Sequence, residues 1–358
     1  MPRFDEDRLD LAFRNLQLAV ENRPPATTGV LGVATSTQTV RLEAHTRAGS
    51  LYTAAPDSVF LLASLTKPIV ATAIMQLVQD GQLSLHTPVT AYLPEFDRSG
   101  KPPVTVWNLL THTSGIGEID WPTSLRQFPQ RAVSYQIACN FIPDFAPGTR
   151  FQYSTLSFYV LAELISRLSG MPYPAFLQER IFQPLGMTDT SFDPRPANRM
   201  IPVEGITADS LLTREQVTDF FISFAMPGAG LWSTVPDLLK FGQALLNIAK
   251  DKPGAPHLLS SSSLALMTRE HTIGLYKLEN GQAHLVHYGL AWRKGFADGL
   301  EASPGSPYVF EHDGATGGEL WLDPEWDLAF VFLTNAFGAD QTVRYSALRD
   351  IYRSLSRD

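Results

Sequence analysis

The sequence holds a single cysteine, Cys139, in 358 residues, so neither an intrachain disulfide nor a thiolate metal cluster is open to it. Beside Ile137 and Ala138, that thiol reads as a small buried hydrophobe rather than as a nucleophile. Long apolar runs are also lacking. The best, Ile69 to Val78, is broken by Thr72 and Gln76 and falls short of the roughly 18 residues of a membrane span, so no integral membrane segment is expected. Positive charge is scarce: 28 Lys and Arg stand against 36 Asp and Glu, a net of −8 with no basic run, which leaves no electrostatic footprint for nucleic acid. The opening Met-Pro-Arg-Phe-Asp-Glu-Asp-Arg has neither the basic start nor the apolar stretch of a secretory signal, and a cytoplasmic location is expected. There is no P-loop, dinucleotide fingerprint, H-E-x-x-H or G-x-S-x-G elbow. His284 and His287, three apart in a strand, would face opposite sides, so neither a metal nor a cofactor is expected.

What is there is globular. Apolar residues make up 44% of the chain and charged ones 18%, which excludes disorder as its main theme, and the length allows one large or two fused domains. Leu9, Phe13, Leu16 and Val20 recur at helical spacing until the Pro24-Pro25 pair stops the helix. Gly29 to Leu42 alternates like a hairpin. A second helix follows Ser64, with Val70, Ile74, Leu77 and Val78 on one face and Gly81 where helices end. Residues 85–265 then read as helical segments separated by Pro and Gly loops. Strand patterns return at Tyr308 to Glu311, Glu319 to Leu322 and Leu328 to Thr334, with Asp323-Pro324-Glu325 turning between the last two, and Thr342 to Leu355 closes the chain as a helix. The expected fold is therefore α/β of the α+β kind: an antiparallel sheet built from both termini and flanked by helices, with a large helical insertion. Residues 1–84 plus 266–358 would form the sheet domain and 85–265 the helical one, with the active site in the cleft between.

The best chemical signal is Ser64-Leu65-Thr66-Lys67 at a helix start. Residues i and i+3 share a helical face about 5–6 Å apart, so Lys67 can reach the Ser64 hydroxyl. The helix N-terminus adds free N–H groups and a positive dipole end, suited to lowering the lysine pKa and to holding an oxyanion. With 26 serines and 7 lysines in the chain, chance alone supplies about half an occurrence of Ser-x-x-Lys, and Ser64 as a plain N-cap beside a solvated Lys67 is the bland alternative.

Context narrows the choice. FLLASLTKP (Phe60 to Pro68), LLTHTSG (Leu109 to Gly115), PGTRFQYST (Pro147 to Thr155), GAGLWSTVPDLLKF (Gly228 to Phe241) and HDGATGG (His312 to Gly318) follow one another in that order. Together they resemble the serine β-lactamase and penicillin-binding superfamily, in its class C β-lactamase-like branch with D-alanyl peptidases and carboxylesterases. The resemblance runs from about residue 29 to residue 336. It implies a β-lactamase/transpeptidase-like fold, Ser64 as the acylated nucleophile, Lys67 as its proton partner and Tyr153 as the tyrosine base. It places His312-Asp313-Gly314 on the strand along the cleft and makes the N–H groups of Ser64 and Ala315 the oxyanion hole. His312 would hydrogen-bond the Tyr153 hydroxyl and titrate near neutrality. His112 and Ser114 would belong to a structural turn.

Two departures bear on substrate. Thr155 stands where the family's Tyr-x-Asn motif has its amide, and a hydroxyl cannot both accept from lysine and donate to a substrate amide carbonyl as that amide does. Asp313 stands where β-lactamases carry a hydroxyl serving a substrate carboxylate, and would repel one unless it points away. Thr155, Asp313 and Gly314, with Trp121 and Trp232 from the roof of the cleft, are the candidate substrate-binding residues, although each tryptophan reads more readily as core. The expected function is a serine carboxylesterase acting on small neutral esters. The alternatives are a D-amino-acid peptidase, a weak β-lactamase or an acyltransferase of the same superfamily, or a catalytically silent member used for binding. The expected partner is a small-molecule ester or amide, with no nucleic acid and no membrane; the sequence leaves the oligomeric state open.

Overall fold

A computed structural model describes residues 2–22, 25–96, 102–118, 131–194, 197–205, 213–255, 257–295, 304–339 and 342–356. In chain order, β1 (Arg3–Phe4) and α1 (Glu6–Asn22) precede the hairpin β2 (Thr28–Ala34) and β3 (Thr39–Thr46), then β4 (Phe60–Leu61) and α2 (Thr66–Gln79). Further on come α3 (Leu156–Ser169), β5 (Trp232–Ser233) and α4 (Val235–Ala249). The chain ends through β6 (Tyr276–Glu279), β7 (Gln282–Leu285), β8 (Arg293–Lys294), β9 (Phe310–Asp313), β10 (Glu319–Asp323), β11 (Leu328–Thr334), α5 (Thr342–Ser354) and β12 (Leu355–Ser356). The main sheet runs β3-β2-β11-β10-β9-β8 with every neighbouring pair antiparallel. It is thus an antiparallel sheet assembled from both ends of the chain and flanked by helices.

Both faces of the sheet are covered, and the period of two decides what each side chain meets. In the β10–β11 register Leu320 lies opposite Val331 and Trp321 opposite Phe330. Leu320, Leu322, Ala329 and Val331 join the large core that holds α2, α3 and α4, whereas Trp321 and Phe330 join a second core with Leu9, Phe13 and Leu16 of α1 and Leu348 and Ile351 of α5. Burial on both sides explains why β2 and β11 read as nearly continuous apolar runs. Helix α4, which lies inside the stretch expected to be a separate helical domain, packs on this sheet. A Cβ on Gly32 of β2 would stand 2.6 Å from Val235 and 2.8 Å from Leu239, so the absent side chain is what lets α4 come this close. Helix α2 is sheathed by protein along nearly its whole length, not on one face only, and this carries Lys67 into the interior. Among the described residues, no helix is long and apolar enough to cross a membrane.

Candidate active site

Ser64 occupies a short 3-10 turn, Ala63–Leu65, between β4 and α2. The turn is pinned from two sides. β4 pairs with β5, with Leu61 opposite Trp232, the Leu62 N–H donates to the Leu231 carbonyl at 2.8 Å, and the Thr66 hydroxyl donates to the Ala63 carbonyl at 2.7 Å while accepting from the Leu231 N–H at 3.2 Å. Ala63 is held at φ +47°, a left-handed conformation that costs a residue with a Cβ about 1–2 kcal/mol. That strain sits directly before Ser64, which is half-buried.

One turn on, the Lys67 ammonium meets three oxygens: Ser64 Oγ at 3.0 Å, the Gly228 carbonyl at 2.8 Å and Thr155 Oγ1 at 3.3 Å. Its ring neighbours are Tyr153 at 4.7 Å and Phe158 at 5.4 Å from Nζ. Lys67 is fully buried, and burial disfavours the charged amine enough to bring its pKa down to about 7, against the opposing pull of the Glu118 carboxylate. Near neutral pH a large fraction of the enzyme therefore carries an uncharged amine 3.0 Å from the serine oxygen.

The Tyr153 hydroxyl is buried without a conventional hydrogen-bond partner, although the neighbouring Ser64 hydroxyl favours its ionised form. Burial outweighs that and pushes the phenol above its ordinary value. Of the two candidate bases Lys67 is thus the one ready to accept a proton, while the Tyr153 phenol keeps its own.

His312 departs from expectation. Its Nε2 meets the Tyr288 hydroxyl at 3.1 Å and its Nδ1 the Asp313 carbonyl at 2.7 Å, while its ring centre lies 6.4 Å from that of Tyr153. Burial, reinforced by Arg293, brings its pKa down to about 3 in spite of Asp313 beside it, so it is a neutral, fully buried residue and not a group titrating near pH 7. The Asp313 side chain is taken up by two guanidiniums. Its carboxylate pairs with Arg293 at 3.0 Å and with Arg344 of α5 at 2.9 Å, and Arg344 also meets Glu319 at 2.8 Å. Burial would raise the Asp313 carboxyl, but the two guanidiniums hold it well below the usual carboxylate range.

Gly314 follows at the end of β9. A Cβ there would stand 2.5 Å from the Leu62 carbonyl, so glycine allows the Gly314–Gly318 turn to seat against the segment leading to Ser64. The Thr316 hydroxyl fixes it there by donating to the Leu61 carbonyl at 3.1 Å, which leaves Ala315 exposed beside that segment. Trp232 is fully buried in the large core; its ring packs, as the simpler reading of an aromatic has it. Trp121 lies outside the described residues. Sequence reasoning missed Gly228, whose backbone oxygen holds Lys67, Glu118, whose carboxylate accepts from the Thr155 N–H and acts on the lysine's charge, and Tyr288. A carbonyl contact leaves no trace in residue type, and Glu118 belongs to no motif.

The sequence profile of the Beta-lactamase family matches residues 20–353. Esterase EstB of Burkholderia gladioli is 40% identical over 154 residues, covering 38% of this chain and 39% of that esterase. The D-alanyl-D-alanine-carboxypeptidase/endopeptidase AmpH of Escherichia coli K12 is 30% identical over 214 residues, covering 57% of this chain and 53% of that protein. The chain thus aligns with only about two-fifths to one-half of the length of these two relatives. Among solved structures, EstCE1, a hydrolase with promiscuous acyltransferase activity, superimposes with a TM-score of 0.78 at 19% identity, over 97% of this chain and 99% of its own, a likeness of fold. A β-lactamase of Mycobacterium bovis superimposes with a TM-score of 0.64 at 26% identity, over 95% of this chain and 97% of its own. With the profile spanning nearly its whole length, the chain belongs to the Beta-lactamase family.

Proposed function

We propose that the protein is a carboxylesterase that acts on small neutral esters through an acyl-enzyme on Ser64. The observation that carries the chemistry is the uncharged-prone Lys67 amine 3.0 Å from Ser64 Oγ. In acylation Oγ attacks the ester carbonyl carbon while its proton passes to Lys67 Nζ. The oxyanion that forms is held by the N–H groups of Ser64 and Ala315. Collapse breaks the carbonyl–alkoxide bond, the Tyr153 hydroxyl gives its proton to the departing oxygen, and the Lys67 ammonium restores it. Water, deprotonated by Lys67, then attacks the acyl-enzyme, and the Lys67 ammonium returns that proton to Ser64 Oγ as the carboxylic acid leaves.

Thr155 and Asp313 support the substrate class. The threonine hydroxyl serves Lys67 and offers no amide for a substrate amide. Asp313 engages Arg293 and Arg344 together, so the positive charge at this end of β9 is already answered by carboxylate and a substrate anion gains little there. The likeness to EstCE1 supports acyl transfer to an alcohol as a second outcome for the same acyl-enzyme.

The test compares p-nitrophenyl esters of increasing chain length with nitrocefin and a D-Ala peptide, with and without added butanol. Short esters should exceed nitrocefin in kcat/KM by at least about 10²-fold, or roughly 2.7 kcal/mol of transition-state preference, and comparable values would remove the case for an esterase. A butyl ester formed in place of acid would establish transfer. Ser64→Ala should abolish both turnover and labelling by a fluorophosphonate; absence of labelling in the wild type would instead identify a silent member.

A further inference from the structure

The Leu109–Gly115 segment, so far only a turn, meets Tyr153 at three points through one residue. The His112 carbonyl accepts from the Gln152 N–H at 2.8 Å, and His112 Nδ1 accepts from the Ser154 N–H at 3.1 Å. The backbone donors on either side of Tyr153 therefore both end on His112. Its ring, 4.4 Å from the Tyr153 ring and inclined by 30°, backs the phenol itself. The turn beneath is stiff. The Thr113 N–H donates to the Asn108 carbonyl at 2.9 Å, the Gly148 N–H donates to the Thr113 carbonyl at 2.8 Å, and the Ser154 hydroxyl donates to the Gly117 carbonyl at 3.1 Å.

This arrangement is costly for a residue that only fills space. His112 is fully buried, takes the left-handed φ of +56°, and leaves Nε2 without a hydrogen-bond partner. A left-handed non-glycine residue costs about 1–2 kcal/mol and an unmet buried N–H about 1–3 kcal/mol. Alanine or glycine would avoid the second cost, and glycine both. Only an aromatic ring with an acceptor at the δ position makes the stack and the Ser154 bond together. That bond also fixes the tautomer, since Nδ1 can accept only while the proton sits on Nε2, so the imidazole is neutral and has no proton to pass at Nδ1.

We propose that His112 is the positioning residue of Tyr153: it holds the phenol against Ser64 and Lys67 by fixing the backbone on both sides and the ring from behind, and takes no part in proton transfer. The proposal rests on the reading of Tyr153 as the donor to the leaving group. That reading supplies the discriminating readout, because an alkoxide needs a proton to leave and p-nitrophenolate scarcely does.

The test measures kcat and KM for an ethyl ester and a p-nitrophenyl ester of one acid. The variants are His112→Asn, which tolerates positive φ and keeps an acceptor without the stack, and His112→Phe, which keeps the stack without the acceptor, each also placed in Tyr153→Phe. The expected result is a fall in kcat of about tenfold or more on the ethyl ester, at least about tenfold larger than on the p-nitrophenyl ester, with KM within about twofold of wild type. In the Tyr153→Phe background neither change should lower kcat further. Equal losses on both esters, or losses that multiply with Tyr153→Phe, would overturn the positioning role. A Tyr153→Phe variant as fast as wild type on the ethyl ester would overturn the reading of Tyr153 instead. Should one His112 variant fail to fold by its melting curve, the other decides, and its retention of wild-type kcat on the ethyl ester refutes the proposal.

Discussion

The state of Lys67 sets how the rate should depend on pH. Its amine falls from an ordinary 10.5 to about 7 on burial. At 1.36 kcal/mol per unit, the interior disfavours the ammonium by about 5 kcal/mol. At pH 7 roughly half the enzyme then holds a neutral amine, against about one molecule in 3,000 for an unshifted lysine. For a short p-nitrophenyl ester, kcat/KM should rise with unit slope from pH 5, pass its midpoint near 7 and level off by pH 8, with the rate at pH 6 about tenfold below the plateau. Glu118 supplies the sign test. Its negative charge raises the Lys67 pKa, so Glu118→Gln should move the limb to lower pH, while the amide oxygen still accepts from the Thr155 N–H. A profile flat from pH 5.5 to 8.5, or a limb unmoved by Glu118→Gln, would refute Lys67 as the base. The same shift predicts a stability effect. Between pH 7 and 10.5 the unfolded chain keeps a proton on this lysine that the folded one has lost, so stability rises with pH across that window. Lys67→Met should therefore be inactive yet raise the melting temperature, most of all below pH 7, where the wild type buries a charge.

The other residues of the site give sharper individual outcomes. Thr155→Asn restores an amide beside Lys67 and should raise the nitrocefin-to-ester ratio of kcat/KM by about tenfold, read from the same substrate panel. Gly228→Ala would place a Cβ 2.8 Å from Thr155 Cγ2; displacement of Thr155, whose hydroxyl holds Lys67, should lower kcat by about 10²-fold while circular dichroism stays unchanged. Asp313→Asn removes a carboxylate shared by two guanidiniums and should cost about 3–5 kcal/mol in urea unfolding. His312→Gln should leave the midpoint of the acid limb in place, since the imidazole stays neutral throughout the working range.

Ser64 and Lys67 were legible in the sequence because their contact is local: three residues of helix bring the side chains together whatever the rest of the fold does. The strand limits at Leu328 to Thr334 were legible for a related reason, as a turn at Asp323-Pro324-Glu325 and an apolar run bound them, and the structure adds that Asp323 Oδ1 accepts from the Glu325 and Trp326 N–H groups. The partner of His312 was not legible, since Tyr288 reaches it from outside the strand and no spacing records that meeting. Nor was the Asp313 network, whose guanidiniums come from β8 and from α5. The β6–β7 hairpin did carry a signal. Asn280 and Gly281 both take positive φ, as a two-residue primed turn requires, and Asn-Gly is the strongest short hairpin mark. The apolar alternation around that turn is too weak to draw attention to it, because both strands are largely exposed.

The pairing of β2 with β11 fixes a timetable for synthesis. Gly29 finds its partner only at Thr334, so the two inner strands of the sheet are made at widely separated moments of translation. At 5–20 residues per second the ribosome needs roughly 15–60 s to make the intervening chain. Through that interval the β2–β3 hairpin exists with a bare ladder edge and with Val30, Leu31 and Val33 lacking the layers that later enclose them. Loop-closure entropy adds little for so long a segment, but the wait itself exposes a sticky template to other nascent chains. Recombinant yield should therefore respond to lower temperature and to holdase chaperones more than the stability of the finished protein would suggest, with the aggregates seeded by the first hairpin.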